Sequence, residues 1–182
     1  MRQFMLVPAT AAALLGTARA GAQTAAPADS GPVMGATRAP YLRVKDYLLR
    51  TAAQASDSDY AFRPTPGVRT LGQTLAHVAE SQYFFCSAAL REQSPGPRDL
   101  EKTRTTKAAI TDALQASFAL CDRAYALTDA QALAPASAPG GRTTTPLSTL
   151  ILNVGHDNEH YGNLVTYLRL RGRVPPSSQP GA

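Results

Sequence analysis

Apolar side chains recur at the three- and four-residue spacing of an α-helix in four separate stretches of the chain, and no stretch shows the alternation of a half-buried strand. In the first, Tyr41, Val44, Leu48 and Ala52 share a face with Leu42 and Leu49 beside them, which predicts a helix over roughly 39 to 56. Asp57-Ser58-Asp59 stops it, and Pro64-Thr65-Pro66-Gly67 fixes a rigid loop. The second opens on Thr70-Leu71-Gly72-Gln73, where the threonine hydroxyl can take one orphan amide and the glutamine can reach back to another. Its stripe is Leu71, Leu75, Val78, Phe85 and Ala89, as far as about Arg91, and Ser94-Pro95-Gly96-Pro97 ends it. A third helix, over roughly 104 to 127, buries Ile110, Leu114, Phe118, Cys121 and Tyr125. The fourth is the most strongly specified: Thr145 caps it, Pro146 suits a first position whose amide would be unpaired anyway, and Gly172 with Pro175-Pro176 closes it. Leu147, Leu150, Val154, Tyr161, Leu164 and Leu168 are its stripe. Four amphipathic helices make an all-α four-helix bundle the economical architecture.

Outside those stretches the chain reads differently. Met1-Arg2-Gln3, an apolar run from Phe4 to Leu15 and the small residues around Ala18-Arg19-Ala20 and Ala20-Gly21-Ala22 are the parts of a secretory signal peptide. Residues 1–22 are therefore expected to be a leader, 23–37 a disordered linker rich in Ala, Pro, Gly, Thr and Ser, and 38–178 the bundle. No cysteine follows the small residues, so a lipid anchor is not indicated. The expected location is periplasmic or secreted, with no stable membrane insertion once the leader is cut. The leader also changes the charge. The full chain of 182 residues carries 18 Lys and Arg against 13 Asp and Glu, a net charge of +5, but Arg2 and Arg19 leave with the leader. The remaining basic residues are scattered, apart from Arg169, Arg171 and Arg173 at a helix C-terminus, where the helix dipole favours positive charge. No nucleic-acid partner is expected.

The chain has 3 His, and all of them fall in these helices. His156 and His160 are four residues apart on the fourth helix, so both imidazoles can reach one ion from the edge of the apolar stripe. His77 lies about as far before the end of the second helix as His160 lies after the start of the fourth, so antiparallel packing puts them at similar depth. Three nitrogens leave a coordination position open, as in catalytic zinc sites, and nickel, iron or copper accept the same ligands. The alternative is that the three are merely solvated or satisfied core histidines. His156-Asp157-Asn158-Glu159-His160 also fits the inverted zinc-peptidase pattern, but no acidic residue follows Glu159 to complete it. Glu80, three residues after His77, shares its face with Gln73 and is the candidate catalytic carboxylate, as general base or as the group that orients His77, with a plain surface carboxylate as the alternative. Asn153, Asn163 and Tyr167 are candidates for contacting a ligand, with caps and interhelical bonds as the alternative. Glu159 points away and is expected in solvent.

Two segments resemble a known family. Thr70-Leu71-Gly72-Gln73-Thr74-Leu75-Ala76-His77-Val78-Ala79-Glu80-Ser81 and Gly155-His156-Asp157-Asn158-Glu159-His160-Tyr161-Gly162-Asn163-Leu164-Val165-Thr166-Tyr167-Leu168-Arg169 look like the two signatures of the DinB/YfiT-like metalloenzymes, and the closing Gly172-Arg173-Val174-Pro175-Pro176-Ser177-Ser178 is similar too. The resemblance runs from about Pro40 to Ser178. It implies an up-down-down-up four-helix bundle and a divalent metal ion, zinc or nickel foremost, held by His77, His156 and His160. Similar proteins are thiol-dependent transferases or isomerases; the leader is a departure, because the thiols those enzymes use are mainly cytosolic. If the second and third helices run parallel, as the resemblance implies, Cys86 and Cys121 lie at matched depth, and a disulfide and two buried thiols both remain open. The functional expectation is a metal-dependent enzyme of hydrolase or transferase type acting on a small-molecule substrate. The alternatives are a non-catalytic metal- or ligand-binding bundle of the cell envelope, and a structural bundle whose histidines bind nothing. A homodimer is compatible with either metal reading.

Overall fold

Thr70 and Thr145 start their helices as the sequence indicates. The Thr70 hydroxyl accepts from the Gln73 amide and the Gln73 side chain from the Thr70 amide, while Thr145 is paired with Ser148 in the same reciprocal way. A computed structural model describes residues 30–138 and 141–180, so the expected leader lies outside the described residues. In chain order the elements are α1 (Pro32–Gln54), α2 (Asp57–Tyr60), α3 (Leu71–Leu90), α4 (Leu100–Thr103), α5 (Lys107–Ala124), α6 (Asp129–Leu133), β1 (Ala136–Ala138), β2 (Arg142–Thr144) and α7 (Pro146–Leu170), with a 3-10 turn at Pro176–Ser178. Among the described residues, no helix is long and apolar enough to cross a membrane.

Contacts between the four long helices give their directions. Along α3 and α5, the backbone of Gly72 packs against Ile110, the Ser117 hydroxyl donates to Gln82 at 3.1 Å, and Cys86 is joined to Cys121 by a disulfide. Both sequences advance together, so α3 and α5 are parallel. Tyr41 meets Asp122 while Lys107 reaches the Ala55 carbonyl, so α1 and α5 are antiparallel. Tyr47 stacks on Tyr161 and Gln54 reaches Val174 beyond the end of α7, so α1 and α7 are parallel. The bundle is therefore up-down-down-up, as the family resemblance implies. The apolar stripes meet in one core whose largest enclosed side chains include Tyr41, Tyr125, Phe118, Leu75, Leu150 and Leu168.

Three features depart from the sequence reading. Helix α1 starts at Pro32, not near 39, so residues 32 to 37 are helix where linker was expected. The cap comes from far along the chain: the Asp129 carboxylate accepts from the amides of Val33 (3.1 Å) and Met34 (2.8 Å). Gly31, at φ 84°, makes the turn that lets this happen; a Cβ there would sit 2.5 Å from the Asp129 carboxylate. Pro40 lies inside α1. Secondly, a two-stranded hairpin pairs Ala136 with Thr144 where no strand was expected. Thirdly, the cluster of Arg171 and Arg173 does more than complement a dipole. Both guanidiniums bind Asp59, which is 2% exposed. Burial pushes the Asp59 carboxyl up, but the bonds from Ser56, Arg171 and Arg173 outweigh it and hold the group well below the usual carboxylate range.

Candidate metal centre

Helix α3 carries His77 about two turns past its Thr70 cap, and α7 carries His156 and His160 on adjacent turns facing it. Because α3 and α7 are antiparallel, the three rings meet: His156 Nε2 lies 3.2 Å from His77 Nε2 and 3.0 Å from His160 Nε2. One nitrogen from each ring lies within 4.8 Å of the other two. Around a tetrahedral zinc ion, ligand nitrogens at about 2.0–2.1 Å from the metal stand roughly 3.3 Å apart. The two separations that involve His156 are of that size. His160 is 8% exposed and the His77 and His156 side chains 24% and 20%, so one side of the cluster opens outward.

The proton placement favours an ion. His77 Nδ1 lies 2.8 Å from Glu101 Oε1, so its proton belongs on that side and its Nε2 presents a lone pair. Arg69 also approaches Nδ1, at 3.4 Å, but its Nε and Nη2 donate to Glu101 at 2.9 and 3.0 Å and the carboxylate is the stronger acceptor for the ring. On the other side, His156 Nδ1 and Asp157 Oδ1 are both buried without a hydrogen-bond partner and lie 3.7 Å apart, too long for a bond. With both Nδ1 atoms turned to carboxylates, two Nε2 lone pairs converge, an arrangement that repels itself unless a cation or a proton sits between them. Protonation is disfavoured: burial, together with the neighbouring His156, His77 and Arg69, pushes His160 down to about 4, and burial followed by Arg69 lowers His77. Neutral imidazoles with convergent lone pairs are metal ligands, so the residues present fit a divalent ion.

Of the side chains singled out from sequence, His77, His156 and His160 come together. Glu80 lines the same opening, but its carboxylate accepts from the amides of Asp99 (3.2 Å) and Leu100 (2.9 Å), which start α4. The carboxylate on His77 is Glu101, so the orienting role expected of Glu80 belongs to Glu101. Gln73 completes the α3 cap, Asn153 is buried against Cys86 and Tyr125, Asn163 and Glu159 are exposed, and the Tyr167 hydroxyl donates to the Arg69 carbonyl at 3.1 Å. None of these reaches the cluster through a contact of its own. Sequence reasoning missed Glu101, Arg69 and Asp157. Asp157 had left a signal, being an acidic residue on the stripe of Leu150, Asn153, Tyr161 and Leu164; it is 0% exposed, and burial raises its carboxyl while Gln82 donates to Oδ2 at 3.3 Å. Glu101 left none, because only the fold of the α3–α5 connection brings it to His77.

A family model described as the DinB superfamily matches residues 41–164. No curated protein matches the chain. Solved structures do. A conserved protein from Enterococcus faecalis superposes with a TM-score of 0.62 at 17% identity, covering 77% of this chain and 97% of that one. A protein described as belonging to the DinB family, from Exiguobacterium sibiricum 255-15, gives 0.57 at 18%, covering 78% and 93%. A DinB-like protein from Bacillus subtilis gives 0.58 at 19%, covering 80% and 99%. At these identities the likeness is one of fold.

Proposed function

The chain belongs to the DinB superfamily, and from that premise we propose that it is a metal-dependent enzyme in which His77, His156 and His160 hold one divalent ion for work on a small molecule. The observation that carries this reading is the convergence of three imidazole nitrogens, two of them with their far ring nitrogens turned to carboxylates. When bound, the ion supplies a Lewis acid with a coordination position open to an electrophile or its attacking group. Zinc and nickel are the ions best matched to an all-nitrogen set of three.

The protein's own contribution is orientation and shielding. Glu101 fixes the His77 tautomer and is itself held by Arg69, so the ligand, its carboxylate and the arginine form a relay across the mouth of the site. Burial raises the Glu101 carboxyl, and Arg69 and His77 outweigh that and lower it, so it stays ionised and stays an acceptor. Asp157 waits as the acceptor for the His156 Nδ1 proton. Glu80 sits at the rim, where each of its two oxygens accepts one amide at the start of α4, and the general-base role is left to the substrate's own groups.

Hydrolase and transferase chemistry both suit this centre. Untagged protein is expected to carry about one divalent ion per chain and to turn over a member of a panel of small esters, epoxides and alkyl halides, the halides with and without an added thiol. His156→Ala should remove both properties. An ion bound at that stoichiometry with no turnover across the panel would instead favour a binding bundle, and no ion at all would overturn the proposal.

A further inference from the structure

We propose that the groove between α3, α7 and the β1–β2 hairpin holds the uncharged apolar body of the substrate whose reactive head lies at the histidine cluster. This rests on the metal reading above and adds the substrate class: a small molecule with an aromatic ring or branched alkyl group joined to a metal-ligating head.

The groove has a volume of about 700 Å³, inside the range of small-molecule sites. Phe84, Phe85, Ala88, Pro135 and Leu152 make its walls, with hairpin residues at one end. Phe84 is 68% and Leu152 63% exposed, an apolar exposure that neither helix needs for the core. Among the described residues, no carboxylate and no lysine lines it. The one charged residue among its described lining, Arg91, donates to the carbonyls of Ala134 and Pro135 at 2.9 and 3.0 Å, which ties the hairpin to the end of α3 and leaves the described walls suited to an uncharged body.

Continuity with the cluster assigns the occupant. Phe84 and Phe85 line this groove and also the opening that contains Arg69, His77, Glu101 and His156. The Phe85 ring stands 5.7 Å from the His156 ring and packs edge-on against Phe84 at 5.3 Å. A ligand bound through its head at the cluster therefore extends past Phe85 directly onto Phe84 and Leu152. A second cleft, about 600 Å³, is lined by Asp57, Arg63, Glu101, Arg104 and Lys107 beside Tyr60 and Ile110, so carboxylates and a lysine stand in it where the groove's described walls have none.

The full-length chain has no tryptophan, so a fluorescent apolar probe can be followed without interference. N-phenyl-1-naphthylamine is expected to bind at one saturable site in metal-free and metal-loaded protein. Phe84→Ser and Leu152→Ser should each weaken it ~10-fold or more, as loss of an apolar wall that the bound probe covers implies. Leu170→Ser, equally exposed but at the far end of α7, should leave it unchanged. Benzohydroxamate should displace the probe from metal-loaded protein at a concentration ~10-fold or more below that needed for metal-free protein, because head and ring then bind together. Acetohydroxamate should displace it from neither. Probe binding unchanged in both groove variants overturns the proposal. So does calorimetric binding of both hydroxamates to metal-loaded protein with no displacement of the probe. If sedimentation shows a dimer that Phe84→Ser breaks while probe binding persists, the face belongs to a second copy of this chain and the proposal falls. Should the chain take up no ion, the metal reading fails separately, and the groove variants still decide whether the apolar site exists.

Discussion

His77 has a neighbour at both ends of its ring, Glu101 at Nδ1 and the Nε2 of His156 at Nε2. Replacing that carboxylate should therefore act through the ring. Glu101→Gln is expected to lower metal affinity about 10–100-fold with little change in fold. Glu80→Gln should do the reverse, leaving affinity nearly intact while weakening the start of α4 by about 1 kcal/mol, since an amide oxygen accepts more weakly than a carboxylate. Calorimetric titration and thermal melts of the two variants distinguish them, and equal loss of affinity in both would contradict the assignment. The histidines also set a pH dependence. His160 is held at about 4 against an ordinary 6.5, so between those values the unfolded chain binds more protons than the folded one. Stability of metal-free protein is then expected to rise with pH from about 4 to about 6.5, with His77 acting in the same direction. A His160→Gln variant should flatten that slope in urea melts.

At the scale of elements, what decides success in reading the chain is whether a helix carries its own caps. Helices α3 and α7 do: Thr70 with Gln73, and Thr145 with Ser148 behind Pro146, are local signals, and both starts are legible from sequence. The histidine placement followed from them, because depth along a helix can be counted only from a known start. Helix α1 borrows its cap from Asp129, and no local pattern could announce a partner so distant in sequence. Glu101 was hidden for the same reason. Removing the borrowed cap should fray only the first turn: Asp129→Ala is expected to cost about 1 kcal/mol and to speed hydrogen exchange at Val33 and Met34. Unchanged exchange at those amides would show that the cap contributes nothing.

For the whole molecule, four helices form one core, and the centre spans only two of them. Helices α3 and α7 supply the ligands, while α1 and α5 close the other side of the bundle. The Cys86–Cys121 disulfide fixes α3 to α5 near their C-terminal ends and joins cysteines 35 positions apart in sequence. A loop of that length constrains the unfolded chain by roughly 4 kcal/mol in the chain-entropy picture. Cys86→Ala with Cys121→Ala should accordingly lower stability by an amount of that order, without abolishing metal uptake, because neither cysteine touches a histidine of the cluster. The central claim is narrower than the bundle: three neutral imidazoles from α3 and α7 bind one divalent ion. Calorimetric titration of metal-free, untagged chain with zinc tests it most directly. The account predicts one saturable site per chain, weakened ~100-fold or more in His156→Ala, whose ring stands between the other two. No saturable uptake, or uptake that His156→Ala leaves unchanged, would contradict it.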